Sequence, residues 1–114
     1  MNKAVMRLTS NFWVSAYLAR LRLADIPAFV LHHGDDTAGA VLVKLNSLDG
    51  RAQAFQRSFN LLSGERAWIS LAEGHEPEVD AAIARQRQFD PDLWVLEVED
   101  KQGRHLLQEE GLAD

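Results

Sequence analysis

Two short runs, Val41-Leu42-Val43 and Trp94-Val95-Leu96, are apolar at every position. This constrains the fold more than any other feature of the chain. Side chains alternate across a β-strand, so a strand with one wet face should alternate apolar with polar residues. These two do not alternate, so they read as central strands covered on both sides. The residues around them supply the covering. Thr9-Ser10-Asn11 is a good helix start placed before an apolar segment in which Trp13, Tyr17, Leu21 and Ala24 recur at helical spacing. Pro27 disfavours helical geometry at Ile26, so a helix is expected over residues 11–25.

Strand-like runs follow at 28–33 and 39–45, the latter containing the first apolar triplet, and an antiparallel hairpin with a wide loop would join them. Residues 53–59 alternate, with Phe55, Arg57 and Phe59 on one side, and Ser63-Gly64-Glu65 turns the chain into a strand at 66–72. The four together read as an antiparallel meander. A second helix opens at Glu73-Gly74-His75-Glu76-Pro77, with proline suited to a first helical position and acids near the positive end of the dipole. It closes at Asp90-Pro91-Asp92, before a fifth strand at 93–99 and a short edge strand at 104–107. The order α-β-β-β-β-α-β points to an α+β two-layer sandwich, a mostly antiparallel sheet with both helices on one face. Two helices cover one face of five strands, so the other needs a cover. A second copy of the chain, meeting Val41, Val43, Trp94 and Leu96, is one candidate, and the terminal segments are the other. The 114 residues suit one domain, 1–114, with 1–8 and 108–114 expected to be loosely ordered.

Charge narrows the function classes. The net charge is −5, but residues 1–72 carry +3 and residues 73–114 carry −8. Basic groups stand singly among apolar residues, so no stripe suits a phosphate backbone, and nucleic acid is an unlikely partner. Folding could still gather Arg20, Arg22, Arg57 and Arg66 into an anion-binding patch. No apolar run reaches the ~18 residues of a membrane span, and there is no segment of signal-peptide character, so a soluble cytoplasmic protein is expected. Cysteine is absent, which removes disulfides, thiolate nucleophiles and Cys-ligated metals.

The densest polar chemistry is His32-His33-Gly34-Asp35-Asp36. Imidazole and carboxylate are ligands for zinc or manganese. Adjacent strand residues point to opposite sides, so at most one of His32 and His33 readily joins a shared site, and the candidate metal set is His33 with Asp35 and Asp36. Glu97 and Glu99 share one strand face and could complete it, or divide acid and base roles. The same residues also suit an ordinary turn and a solvated strand end. No GxSxG, SxxK, GxGxxG, GxxxxGK[ST] or HExxH pattern occurs, and no cofactor is expected.

The segments Arg7 to Val30, Gly34 to Asn46, Gln56-Arg57, Arg66-Ala67-Trp68 and Arg87 to Leu107 resemble DUF1491, a family of small alphaproteobacterial proteins of unknown function. Gln88 departs from the pattern by interrupting the expected Arg-Phe-Asp. The resemblance covers nearly the whole chain and implies a single bacterial domain, with no activity or catalytic residue to carry over. The expectation is a non-enzymatic interaction or binding module, with an unknown protein partner or a second copy of itself. The alternatives are a small metal-assisted hydrolytic enzyme using the His/Asp/Glu set, and a binder of phosphate-bearing ligands.

Overall fold

Residues 8–59, 62–64 and 66–112 are described by a computed structural model. Helix α1 (Ser10–Leu23) is followed by strands β1 (Ala28–His32), β2 (Val41–Asn46), β3 (Arg51–Phe59) and β4 (Arg66–His75), then helix α2 (Glu76–Phe89) and strand β5 (Trp94–Glu99). The expected order and class hold. Three of the four strand pairings are antiparallel, and the strand order is β1-β5-β2-β3-β4.

The order corrects the expected meander. Strands β1 and β2 do not form a hairpin, because β5 inserts between them, antiparallel to β1 and parallel to β2. Only β2, β3 and β4 run as a meander. No strand forms at 104–107, which is loop and turn.

Helix α1 begins where the Thr9 side chain accepts from the Phe12 amide. It ends in a Schellman motif. The Asp25 amide donates to the Arg22 carbonyl, the Ile26 amide donates to the Leu21 carbonyl, and Asp25 takes φ 59°. Ile26 and Leu21 then meet in the core, the apolar contact that accompanies this motif. Pro27 follows, and the chain turns into β1.

The two helices do not share a face, which corrects the two-layer expectation. Val43, Leu45, Trp94, Leu96 and Val98 pack against Trp13, Val14, Tyr17 and Leu21 of α1. Leu42 and Val95, their alternates on the same strands, pack with Ala52 and Ala54 against Val79 and Ile83 of α2. Alternate residues of one strand point to opposite faces, so α1 and α2 lie on opposite sides of the sheet. The doubly apolar strands are therefore covered within one chain. Each side chain of Leu or Val size that is fully buried this way contributes about 1.5–3 kcal/mol.

The C-terminal segment completes the α1 face. Leu107 and Leu112 are fully buried in its core cluster. The Tyr17 hydroxyl donates to the His105 carbonyl (2.8 Å), and the Trp68 indole donates to the Leu112 carbonyl (3.0 Å). Residues 108–112 were expected to be loose. They are held at Leu112 because it offers an apolar side chain to the core and an acceptor to a buried donor. Residues 1–7, 113 and 114, the rest of the expected loose ends, lie outside the described residues apart from Leu8, which is exposed.

Candidate functional site

The loop from His33 to Ala40, which supplied the metal candidates, is tied into the fold group by group. The Asp35 carboxylate accepts from the Thr37 and Ala38 amides at 3.2 and 2.9 Å, closing its own turn. The Asp35 carbonyl accepts from the Trp94 indole at 2.8 Å. His33 lies over the Trp94 ring, with centroids 4.0 Å apart, and its Nε2 meets Asp36 Oδ1 at 2.7 Å. His32 Nδ1 reaches the Leu93 carbonyl at 2.6 Å. The carbonyls of Thr37 and Asp36 accept from the Ser10 and Asn11 amides, so this loop caps α1. Gly34 and Gly39 let it press onto β5: a Cβ on either would collide with the Asp92 carbonyl. The loop's polar groups thus serve helix capping and turn closure.

Glu97 and Glu99 point away from this loop, toward the α2 face, and belong to a different cluster. Its centre is Lys44, an ammonium only 4% exposed on the central strand β2. The Lys44 Nζ lies 2.7 Å from Glu76, 2.7 Å from Asp80 and 3.2 Å from Glu97. Asn46 Nδ2 donates to Glu76 at 3.1 Å and to Glu97 at 3.4 Å, and its Oδ1 accepts from the Leu48 amide. Burial works to lower the Lys44 pKa, but the hydrogen bonds to Asp80, Glu76 and Glu97 outweigh it and hold the group above its ordinary value. Glu99 is pushed up by burial, then by its hydrogen bond to Glu97 and the charges of Glu97 and Glu76. The cluster docks the first turn of α2 onto β2 and β5. In the sequence Lys44 stands as one of several scattered basic groups. The available signal was its place inside Val-Leu-Val-Lys-Leu, where a cation needs counterions to be buried.

The five metal candidates are therefore divided between two sites, His33, Asp35 and Asp36 on the capping loop and Glu97 and Glu99 beside Lys44. Among the described residues no group of three or more His, Cys, Asp or Glu could hold a metal ion.

Of the arginines, Arg57 and Arg66 come together and the other pair does not join them. Arg20 donates to the Glu110 carbonyl at 2.7 Å and lies 3.8 Å from the Glu109 carboxylate. Arg22 is exposed near the end of α1. Arg57 pairs with Trp68 across β3 and β4, and its guanidinium lies 4.9 Å from the Trp68 ring centroid and 5.2 Å from that of Trp13. The two rings are 5.3 Å apart. Arg66, two residues before Trp68, lies on the same side of β4. These four residues line a cleft of about 1470 Å³, together with Gln56, Ser58 and Asp90, at the end of the sheet where α1 begins and α2 ends. The Trp13 indole N–H is buried there with no acceptor among the described residues.

The four proposed contact residues for a second copy fall inside the protein. Val43 and Leu96 are fully buried, Trp94 is 2% exposed, and Val41 packs against the same cluster. Helix α1 covers them, so the apolar excess that suggested another copy is absorbed within the chain.

An α+β sheet with a helix on each face and a cleft at one end defines the structural class. The chain belongs to the family described as protein of unknown function DUF1491, whose sequence profile matches residues 8–108. It is similar to the crystal structure of a DUF1491 family protein from Caulobacter crescentus CB15, at 40% identity and TM-score 0.82, over 90% of this chain and 97% of that one. The solution structure of a DUF1491 family protein from the same organism gives 40% identity and TM-score 0.79, over 91% and 96%. A protein from A. tumefaciens solved in solution is 33% identical with TM-score 0.70, over 82% and 86%. No curated protein matches the chain. Among the described residues, no helix is long and apolar enough to cross a membrane.

Proposed function

We propose that the chain is a non-enzymatic binding module of the cytoplasm, and that the cleft formed by Trp13, Arg57, Arg66 and Trp68 is its binding surface. The observation that carries this reading is the contrast in how polar groups are used. The histidines and carboxylates that could have supported catalysis are engaged in helix capping, turn closure and the Lys44 cluster. The cleft instead holds aromatic surface, two guanidinium groups and an indole N–H without an acceptor among the described residues. Concave, largely apolar sites with a few convergent polar groups are where ligands bind.

The test is a fragment screen read by amide and indole NMR shifts on the full chain. Saturable shifts clustered on Trp13, Gln56, Arg57, Arg66 and Trp68 are expected. Shifts that cluster instead on the His33–Ala40 loop or around Lys44, or no saturable shift at all, would overturn the reading.

A second copy of the chain is the other partner the geometry supports, now through an edge and not a face. Among the described residues strand β1 pairs only with β5, and its Phe29, Val30 and Leu31 are each about half exposed with no charged residue in the strand. Antiparallel pairing of two β1 strands is expected to give twice the chain mass in light scattering, and Val30→Lys to return it to one.

A further inference from the structure

Three tryptophans carry indole N–H donors in this chain, and two are matched. Trp68 donates to the Leu112 carbonyl and Trp94 to the Asp35 carbonyl. Trp13 is 4% exposed, and its N–H has no acceptor among the described residues. Buried donors are almost always paired, because leaving one unmatched forfeits its bond to water without replacement. Trp13 lines the cleft, so an acceptor brought by a ligand would complete it. Arg66 lines the same cleft, at the start of β4. Arg57 adds a second positive charge, its guanidinium within 5.2 Å of both the Trp13 and the Trp68 ring centroids. Asp90 is the one acid among the described lining residues, so cations outnumber anions two to one. The start of α1 adds nothing to this site, since its first amides are taken by the Thr37 and Asp36 carbonyls and the Thr9 side chain.

Resting on the binding-module reading, we propose that the ligand of this cleft carries an oxyanion, phosphate or carboxylate, received by the Arg66 guanidinium and the Trp13 indole N–H. A guanidinium offers a planar fork of donors matched to both anions, and an indole offers one donor and no acceptor. The ligand is a small molecule and not a nucleic acid. Two arginines on a chain of net charge −5 release too few counterions to hold a phosphate backbone.

The experiment follows the three indole cross-peaks of the full chain during titration with inorganic phosphate, with acetate, and with sodium chloride at matched ionic strength. The Trp13 peak is expected to move downfield saturably with phosphate or acetate, while the Trp68 and Trp94 peaks stay. The anion that binds more tightly identifies the source, and chloride is expected to move none of the three. Arg66→Ala, at the start of an edge strand, is expected to weaken binding roughly tenfold or more. Trp13→Phe keeps a ring beside Arg57 and is expected to weaken it as well. Absence of saturable Trp13 movement with either anion, or an Arg66→Ala protein that titrates like the native chain, overturns the proposal. If both anions fail while neutral fragments still shift Gln56 and Trp68, the oxyanion is wrong and the cleft reading stands. If fragments fail too, both fall.

Discussion

Two cations are packed against this sheet, one on each face, and the chain handles them by opposite means. Lys44, on the α2 side, is surrounded by Glu76, Asp80 and Glu97, with Asn46 bridging two of them. Arg57, on the α1 side, packs against both the Trp13 and the Trp68 rings. The chemistry of each group explains the choice. A compact, strongly hydrated ammonium needs close acceptors to replace its water, whereas a planar, weakly hydrated guanidinium can rest on aromatic faces. The consequence is functional as well as structural. The lysine cluster closes on itself and fixes a helix to two strands. The arginine side borders a cleft where the Trp13 indole N–H has no acceptor among the described residues.

Truncating each cation is the sharpest way to break that comparison. Lys44→Met leaves three carboxylates converging on an apolar stem, and a loss of about 3 kcal/mol in urea denaturation is expected. That is the lower end for a broken buried pair, because Glu76 and Asp80 keep partial contact with water. Arg57→Met removes two cation–ring contacts and leaves an apolar side chain against the two rings, so about 1–2 kcal/mol is expected. Equal losses would mean that the two environments are energetically alike.

Acid should act on the α1 side through His105. Burial pushes this imidazole below its ordinary value of 6.5. Its Nδ1 accepts from the Leu107 amide, and its ring packs 4.7 Å from Phe55. The folded chain therefore resists protonation there. The stability this provides is complete above the unfolded pKa, about 6.5, and is lost as pH falls below it. The urea midpoint is expected to drop between about pH 7.5 and 5.5, and His105→Gln should flatten that slope. Amide exchange at Leu107 and Leu112 would show whether the C-terminal segment opens first. The smallest effect belongs to the former metal candidates. His33→Ala removes an exposed contact with Asp36 and should change stability by less than about 0.5 kcal/mol. Zinc or magnesium should leave the melting temperature unchanged. A metal-dependent rise abolished by His33→Ala would restore the metal reading.

Most elements were legible because their signals are local. The N-cap before Phe12, the Pro27 stop and the Pro77 helix start place α1 and α2 within a few residues of where they lie. The face each helix covers was not legible, because it depends on strand order. Once β5 lies between β1 and β2, the crossover through α2 and the lead from α1 take opposite faces, and no local pattern encodes that position. The candidate site divides the same way. Arg57 and Arg66 could be proposed from composition. Their meeting with Trp13 depends on α1 packing onto β3 and β4, an arrangement separated by more than forty residues of chain. Leu112 shows a related limit: a polar tail looked loose until a buried indole turned out to need its carbonyl.

The place of β5 has a consequence for how the chain is made. It follows β1 to β4 in the chain and is the one on which β1 and β2 both pair. Until residues 94–99 emerge, Val30 and Leu42 lie on strands with an open edge toward the missing one, and no native arrangement of the earlier residues can close the gap. The sheet therefore assembles only after β5 has emerged, by contacts far apart in sequence, which are slow to form and exposed to mispairing in the interval. Residues 73–93, made just before β5, carry six acidic and two basic groups, and this −4 makes association between nascent copies unfavourable while the edges wait.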